Sequence, residues 1–166
     1  MIRLPLLCIL AVTLNSCQDV NSALTPATKT STDDVDGSTV VRQPPVSAAS
    51  SLAEAWHTLG FDWNSRTPEK VFLTAGVQGT ANIFGLDFNV GGHFITASET
   101  EIVTDYGPVS TRRFAVSRAD FVKIATAPSV KMKVSGAHGY GVSSFGTATN
   151  ALVNKKFPQF LQKLQR

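Results

Sequence analysis

Cysteine is scarce in this chain of 166 residues: Cys8 and Cys17 are the two cysteines, and both lie near the amino terminus. Residues 18–166 therefore contain no thiol, which excludes disulfide bonds within them and zinc sites built on cysteine. We expect the folded part of the protein to be held together by its core alone.

Hydrophobic runs long enough to span a bilayer are also missing. The apolar stretch at residues 4–12 follows Arg3 and is too short to cross a membrane. Small and polar residues close this stretch, ending at Cys17. A positive start, a short apolar core and small residues before a cleavage point are typical of a secretory signal.

Residues 14–17, which read Leu-Asn-Ser-Cys, resemble the lipobox of bacterial lipoproteins. The resemblance implies that residues 1–16 are a signal peptide, that Cys17 is acylated, and that the protein is held at the membrane by this lipid anchor. Gln18 implies, by the same resemblance, an outer-membrane location that faces the periplasm or the surface. The alternatives are an ordinary cleaved signal with an incidental cysteine and an uncleaved anchor. The resemblance covers the amino terminus and implies nothing about the globular part.

Aromatic residues are absent from residues 18–50, where Ser, Thr, Ala, Val, Pro and Asp dominate. Such a composition buries too little apolar surface to offset the conformational entropy of the chain. We therefore predict that residues 17–50 comprise the acylated cysteine and a disordered linker. Its three aspartates within residues 33–36 do not have the spacing of a calcium-binding loop.

Residues 51–166 are predicted to form a single α+β domain, in which an antiparallel meander of about six or seven strands packs against two or three short helices. Ser51 and Glu54 have the spacing of a capping box and predict a helix that ends near Gly60. Trp56, which lies in this helix, is expected in the core or at its edge, together with Phe61 and Trp63.

The following segment, residues 70–116, has the period of two that is typical of strands. Gly91 and Gly92 predict a two-residue hairpin loop, which would place Phe88 opposite Ile95 and Val90 opposite His93. A fourth strand is expected at residues 101–106 and a fifth at residues 109–116.

The carboxy-terminal part alternates helices and strands. Ser117 and Asp120 predict the start of a helix that Pro128 ends. Residues 129–135 alternate apolar residues with lysines, which is typical of a strand with one solvent-exposed face, and we expect this strand at a sheet edge. A further strand at residues 140–145 precedes a helix that Pro158 should kink or split.

Residue patterns with catalytic or metal-binding spacing are largely missing. His57, His93 and His138 are scattered, and the glycine-rich loop at residues 136–141 precedes a strand, which does not fit a phosphate-binding loop. No Gly-x-Ser-x-Gly motif is present. We therefore predict no catalytic residues, no metal site and no cofactor.

Charge is distributed unevenly along the chain. Residues 110–166 contain ten Lys or Arg and one acid, whereas residues 17–109 contain four Lys or Arg and eleven acids. Such asymmetry indicates a basic surface for an acidic partner. The binding candidates are Arg112, Arg113, Lys131, Lys133, His138 and Tyr140. If the two parts of the chain interleave in the fold, however, their charges mix.

These patterns favour a non-catalytic binding or inhibitory module that is anchored in the cell envelope and acts on an envelope protein or an anionic envelope polymer. Nucleic acid is an improbable partner for an exported protein. The alternative is an envelope hydrolase with an active site near His93 or His138 that no motif reveals. A structural link between membrane and cell wall is a third possibility.

Overall fold

The computed structural model describes residues 25–100 and 103–165, and the predicted signal peptide and Cys17 lie outside them. Ten strands are present among the described residues: β1 (Lys29–Thr32), β2 (Thr39–Ser47), β3 (His57–Asn64), β4 (Lys70–Gln78), β5 (Ile83–Val90), β6 (His93–Thr96), β7 (Ser98–Glu99), β8 (Val109–Ser117), β9 (Val130–Gly136) and β10 (Gly139–Phe145). The helices are α1 (Arg118–Thr126), a 3-10 helix (Leu152–Lys155) and α2 (Phe157–Lys163).

The strands form two antiparallel sheets. One has six strands in the order β1-β2-β3-β4-β8-β7, and the other has four in the order β10-β9-β5-β6. The prediction of an α+β protein dominated by antiparallel sheet is confirmed, but six or seven strands were too few. The meander was also wrong, because β4 pairs with β8 along its whole length and not with β5.

A bent segment joins the two sheets. β6 pairs with β5 in the four-stranded sheet, and β7, one residue further on, pairs with β8 in the six-stranded sheet. Ala97 lies between β6 and β7 and donates its backbone amide hydrogen to the Leu86 carbonyl, at 2.9 Å. The chain thus passes from one sheet to the other without a loop.

The core is aromatic and shared by both sheets and both helices. Phe61 of β3 stacks on Phe157 of α2 with 5.1 Å between ring centroids, and Phe157 in turn lies 5.7 Å from Phe145 of β10. Phe121 of α1 contacts Phe61 at 5.3 Å. Aromatic pairs at such distances add to the burial of apolar area, so this cluster ties the sheets together.

The predicted disordered linker is wrong for residues 29–47, which form β1 and β2 of the six-stranded sheet. Val41 and Val46 are buried in the core. Their period-two pattern is interrupted at a register shift between Gln43 and Val46, and this irregularity concealed the strand. The missing aromatic residues are supplied by other elements of the core, which no local composition reveals.

The predicted helix from Ser51 is also wrong, since β3 begins at His57 and Leu52 is fully exposed. Glu54 accepts hydrogen bonds from the backbone amides of Ser50, at 2.9 Å, and Ser144, at 3.1 Å, instead of capping a helix. Pairing of β3 with two neighbouring strands outweighs a short helix that has little stability alone. Trp56 is exposed and Trp63 is half-buried, whereas Phe61 lies in the core as expected.

The hairpin prediction is confirmed in its register, with Phe88 opposite Ile95 and Val90 opposite His93. In place of the strand predicted at residues 101–106, the described part of that segment has an isolated bridge between Asp105 and Thr111. Residues 101 and 102 lie outside the description.

The later elements largely follow the sequence pattern. The Ser117 side chain caps α1 by accepting the Asp120 amide hydrogen at 3.0 Å, and Pro158 lies in the first turn of α2, directly after the break from the 3-10 helix. β9 has its apolar residues buried, but it lies between β10 and β5 and is not an edge strand.

Candidate functional site

Arg112 does not belong to an exposed basic surface, so this candidate is corrected. Its side chain is 6% exposed and lies inside the molecule. It donates hydrogen bonds to the Ile83 carbonyl and, at 2.9 Å, to the Glu99 carboxylate. Because Arg112 is on β8 and Ile83 is on β5, this side chain connects the two sheets.

Arg113 follows Arg112 in β8 and therefore points to the other side of the sheet. It forms an ion pair with Asp62 at 2.6 Å and lies 4.1 Å from the centroid of the Phe72 ring. It also lines a polar cleft together with Arg42. The outer side of the six-stranded sheet thus has basic charge that is partly neutralised.

Lys131 and Lys133 lie on β9, in the other sheet. Lys133 forms an ion pair with Asp87 at 2.8 Å. Burial alone would raise the pKa of the Asp87 carboxyl, but hydrogen bonds from Lys133 and Thr96 outweigh it and lower that pKa. The predicted basic set therefore does not form one surface.

Lys131 and Lys133 instead share a surface with Tyr140. Strand register places Val142 beside Lys133, and both Ser144 and Asn89 beside Lys131. Directly opposed residues of neighbouring strands point to the same side of a sheet, and the alternate residues of these strands are buried in the core. We call this surface the outer face; its members are Asp87, Asn89, Phe94, Thr96, Lys131, Lys133, Ser135, Tyr140, Val142 and Ser144.

The outer face includes exposed apolar side chains. Phe94 is 73% exposed and Tyr140 is 72% exposed, and Val142 is also exposed. Exposed apolar side chains that are grouped on one surface mark interaction sites, and here they lie on the two edge strands of the sheet, β6 and β10. Lysines lie between them, so the face is both apolar and basic.

The glycine-rich loop lines a cleft of about 280 Å³ at one end of the four-stranded sheet. His138 and Tyr140, both binding candidates, contribute to this cleft, and so does His57. Most of the remaining wall is apolar, and none of its described residues is Asp, Glu, Lys or Arg. The apolar and small residues of the wall are Ala55, Val77, Ala81, Ile83, Val134, Gly136, Ala137, Gly139 and Gly141.

His57 forms a buried hydrogen-bonded pair with Ser143. The Ser143 Oγ lies 2.8 Å from Nδ1 of His57 and 2.7 Å from the Ala55 carbonyl oxygen. Burial lowers the pKa of the His57 imidazole, which favours the neutral ring. Ser143 is completely buried, so its hydroxyl is not placed to attack a substrate.

Gly141 is needed beside the histidine. A Cβ at this position would lie 2.7 Å from Cε1 and 2.8 Å from Nε2 of His57, and 2.9 Å from the Ala55 Cβ. These are closer than van der Waals contact permits. The glycine in β10 therefore lets the Cε1–Nε2 edge of the imidazole lie against the strand, at the wall of the cleft.

The pairing of His57 with Ser143 was missed in the sequence, where 86 residues separate the two. No spacing rule connects positions so far apart. The sequence feature that indicates a close contact here is the glycine at residue 141.

Residues 93 and 138, the histidines of the hydrolase alternative, are not brought together. His93 follows the end of β5 that pairs with Val130, and His138 lies near the opposite end, where Ile83 pairs with Gly136.

Among residues 25–100 and 103–165, no group of three or more His, Cys, Asp or Glu side chains is arranged to hold a metal ion. Within the same residues, no helix is long and apolar enough to cross a membrane.

The fold and site define a small antiparallel two-sheet domain with an apolar cleft and an exposed, partly apolar sheet face. Comparisons of the chain with family models, curated proteins and solved structures found no match. Its function is therefore inferred from its own residues and their geometry.

Proposed function

We propose that this protein is a lipid-anchored module of the cell envelope that binds another envelope protein through its outer face and catalyses no reaction. The anchor rests on the resemblance of residues 14–17 to a lipobox. The binding surface rests on one observation of the fold, the exposed Phe94, Tyr140 and Val142 on a single sheet face.

The chemistry of this face favours a protein partner over an anionic polymer. Aromatic side chains contribute large apolar area and are enriched at protein interfaces. A polyanion would be recognised chiefly by clustered cations, whereas Lys133 is already paired with Asp87 at 2.8 Å. Lys131 is exposed, and it forms no ion pair within the part of the chain that the structure describes. A partner that places a carboxylate opposite Lys131 would complement this face.

The hydrolase alternative has weaker support. A nucleophile must be accessible and must have a base within hydrogen-bonding reach. Ser143 has a histidine within hydrogen-bonding distance but is completely buried. His93 and His138 lie near opposite ends of the paired strands β5 and β9. Ile83 and Val90 mark these ends on β5. They are seven residues apart, which corresponds to roughly 23 Å at about 3.3 Å per residue.

Crosslinking in cells tests the proposal. The tagged full-length protein, its Phe94→Ser variant and its Lys131→Glu variant would be crosslinked, and the captured proteins would be identified by mass spectrometry. We expect one envelope protein to be captured in a stoichiometric amount. Each variant should reduce that capture about tenfold, which corresponds to about 1.4 kcal/mol and is typical of a contributing interface residue.

Lys29→Glu is the matched control for Lys131→Glu, because Lys29 is an exposed lysine on the other sheet. It should leave capture unchanged, while Cys17→Ala should abolish it if the anchor brings the partners together. Equal effects of Lys29→Glu and Lys131→Glu would contradict the outer-face proposal. Capture of anionic polymer in place of a protein would contradict the choice of partner.

A further inference from the structure

The hydrogen bonds around Ser143 assign the tautomer of His57. The Ala55 carbonyl can only accept, so the Ser143 hydroxyl hydrogen must point to it across their 2.7 Å contact. The Ser143 Oγ then accepts from Nδ1 of His57 at 2.8 Å. In the neutral ring the hydrogen is therefore on Nδ1, and Nε2 has a free lone pair.

This lone pair lies at the wall of the cleft. His57 is 3% exposed and lines the cleft, and its Nε2 is next to Gly141, where a Cβ would approach to 2.8 Å. Among the described residues, none donates a hydrogen bond to Nε2. Nε2 is not among the fully buried side-chain atoms that lack a partner, so it is open to the cleft and can accept a hydrogen bond from a bound molecule with an N–H or O–H group.

The wall of the cleft limits the charge and size of such a molecule. Its described lining has no Asp, Glu, Lys or Arg, so a charged ligand would lose its hydration without gaining a counterion. The volume of about 280 Å³ is just below the usual range of ligand pockets, about 300–1,000 Å³, so the molecule must be small. Ala81, Ile83 and Val134 offer apolar contacts, and Asn82 adds an amide.

We propose that this cleft binds a small, uncharged and mainly apolar molecule that donates one hydrogen bond to Nε2 of His57, as a phenol does. The proposal is independent of the docking of a partner on the outer face. The glycine-rich loop forms one wall of this site, and Gly141 leaves space for the imidazole.

Binding of phenol and of toluene to the purified protein tests this site, because the two probes have similar shapes and only phenol donates a hydrogen bond. Phenol should bind saturably. His57→Phe should weaken phenol binding about tenfold, the worth of one neutral hydrogen bond, and change toluene binding less than about twofold. Ala137→Leu, which narrows the cleft from the exposed loop, should weaken both probes.

Nitrogen-15 spectra of the wild-type imidazole keep the test independent of whether His57→Phe folds. The hydrogen should be bonded to Nδ1 in the free protein, and phenol should shift the resonance of Nε2 more than that of Nδ1. A hydrogen on Nε2, equal losses of phenol and toluene binding in His57→Phe, or no saturable phenol binding up to its solubility limit would each overturn the proposal.

Discussion

Gly141 illustrates how one residue position is determined by a distant side chain. A Cβ there would lie 2.7 Å from the His57 ring, which is buried and held by Ser143. The ring has little freedom to move, because its other side packs within the domain and its Nδ1 is bonded. Substitution must therefore displace the strand or break the hydrogen bond.

We expect Gly141→Ala to lower the free energy of unfolding by about 1–3 kcal/mol, the usual cost of overpacking. Gly107→Ala is the matched control, because a Cβ there would meet nothing closer than the Val109 carbonyl oxygen at 3.5 Å. It should change stability by less than about 0.5 kcal/mol. Chemical denaturation of both variants measures the difference. Similar stabilities would show that the imidazole does not occupy this space.

At the scale of elements, β2 is a strand that the amino-acid composition of its segment does not predict. Residues 18–50 have the composition of a tether, yet residues 39–47 pair with β3 and contribute Val41 and Val46 to the core. The buried glutamine Gln43 is satisfied by the carbonyls of Pro26 and Pro44 and by Thr28. The amino-terminal segment is therefore part of the domain, and the domain does not begin at residue 51.

Two valines in this segment provide a prediction with an internal control. Val41 is fully buried, whereas Val35 is almost fully exposed in the turn before β2. Val41→Ala should lower the free energy of unfolding by about 2 kcal/mol, from the lost methyl groups and the cavity they leave. Val35→Ala should change it by less than about 0.5 kcal/mol. If thermal or chemical denaturation shows equal effects, the segment is a tether after all.

At the scale of the whole molecule, the two oppositely charged parts of the sequence interleave. The acidic part contributes Asp62, Asp87 and Glu99, and each forms an ion pair with a residue of the basic part. These partners are Arg113, Lys133 and Arg112. Three cations of the basic part are thus neutralised by acids of the other part, and the candidate residues Arg112, Arg113, Lys131 and Lys133 do not share one surface.

Arg112 matters most among these residues, because it connects β8 with the Ile83 carbonyl of the other sheet. We expect Arg112→Met to lower the free energy of unfolding by about 1–3 kcal/mol, since the Ile83 carbonyl keeps Thr104 as a donor but loses Arg112, and the ion pair with Glu99 is broken. Arg66→Met removes an exposed ion pair with Asp36 and should cost less than about 1 kcal/mol. Denaturation curves that rank the two in the opposite order would contradict this role.

The sequence by itself determined the features that depend on neighbours along the chain. The hairpin at Gly91 and Gly92, the alternation in β9, the Ser117 cap of α1 and the break at Pro158 all follow from local backbone preferences and periodicity. Those preferences act within a few residues, and the structure agrees with them there.

The tertiary structure alone decided which strands pair and which side chains meet. β2 joins the core, residues 51–56 form no helix, and His57 meets Ser143 across 86 residues. The physical reason is that strand pairing and burial draw on partners distant in sequence, and their free energy exceeds the small propensities of a short segment. The cleft and the outer face exist only once these pairings have formed.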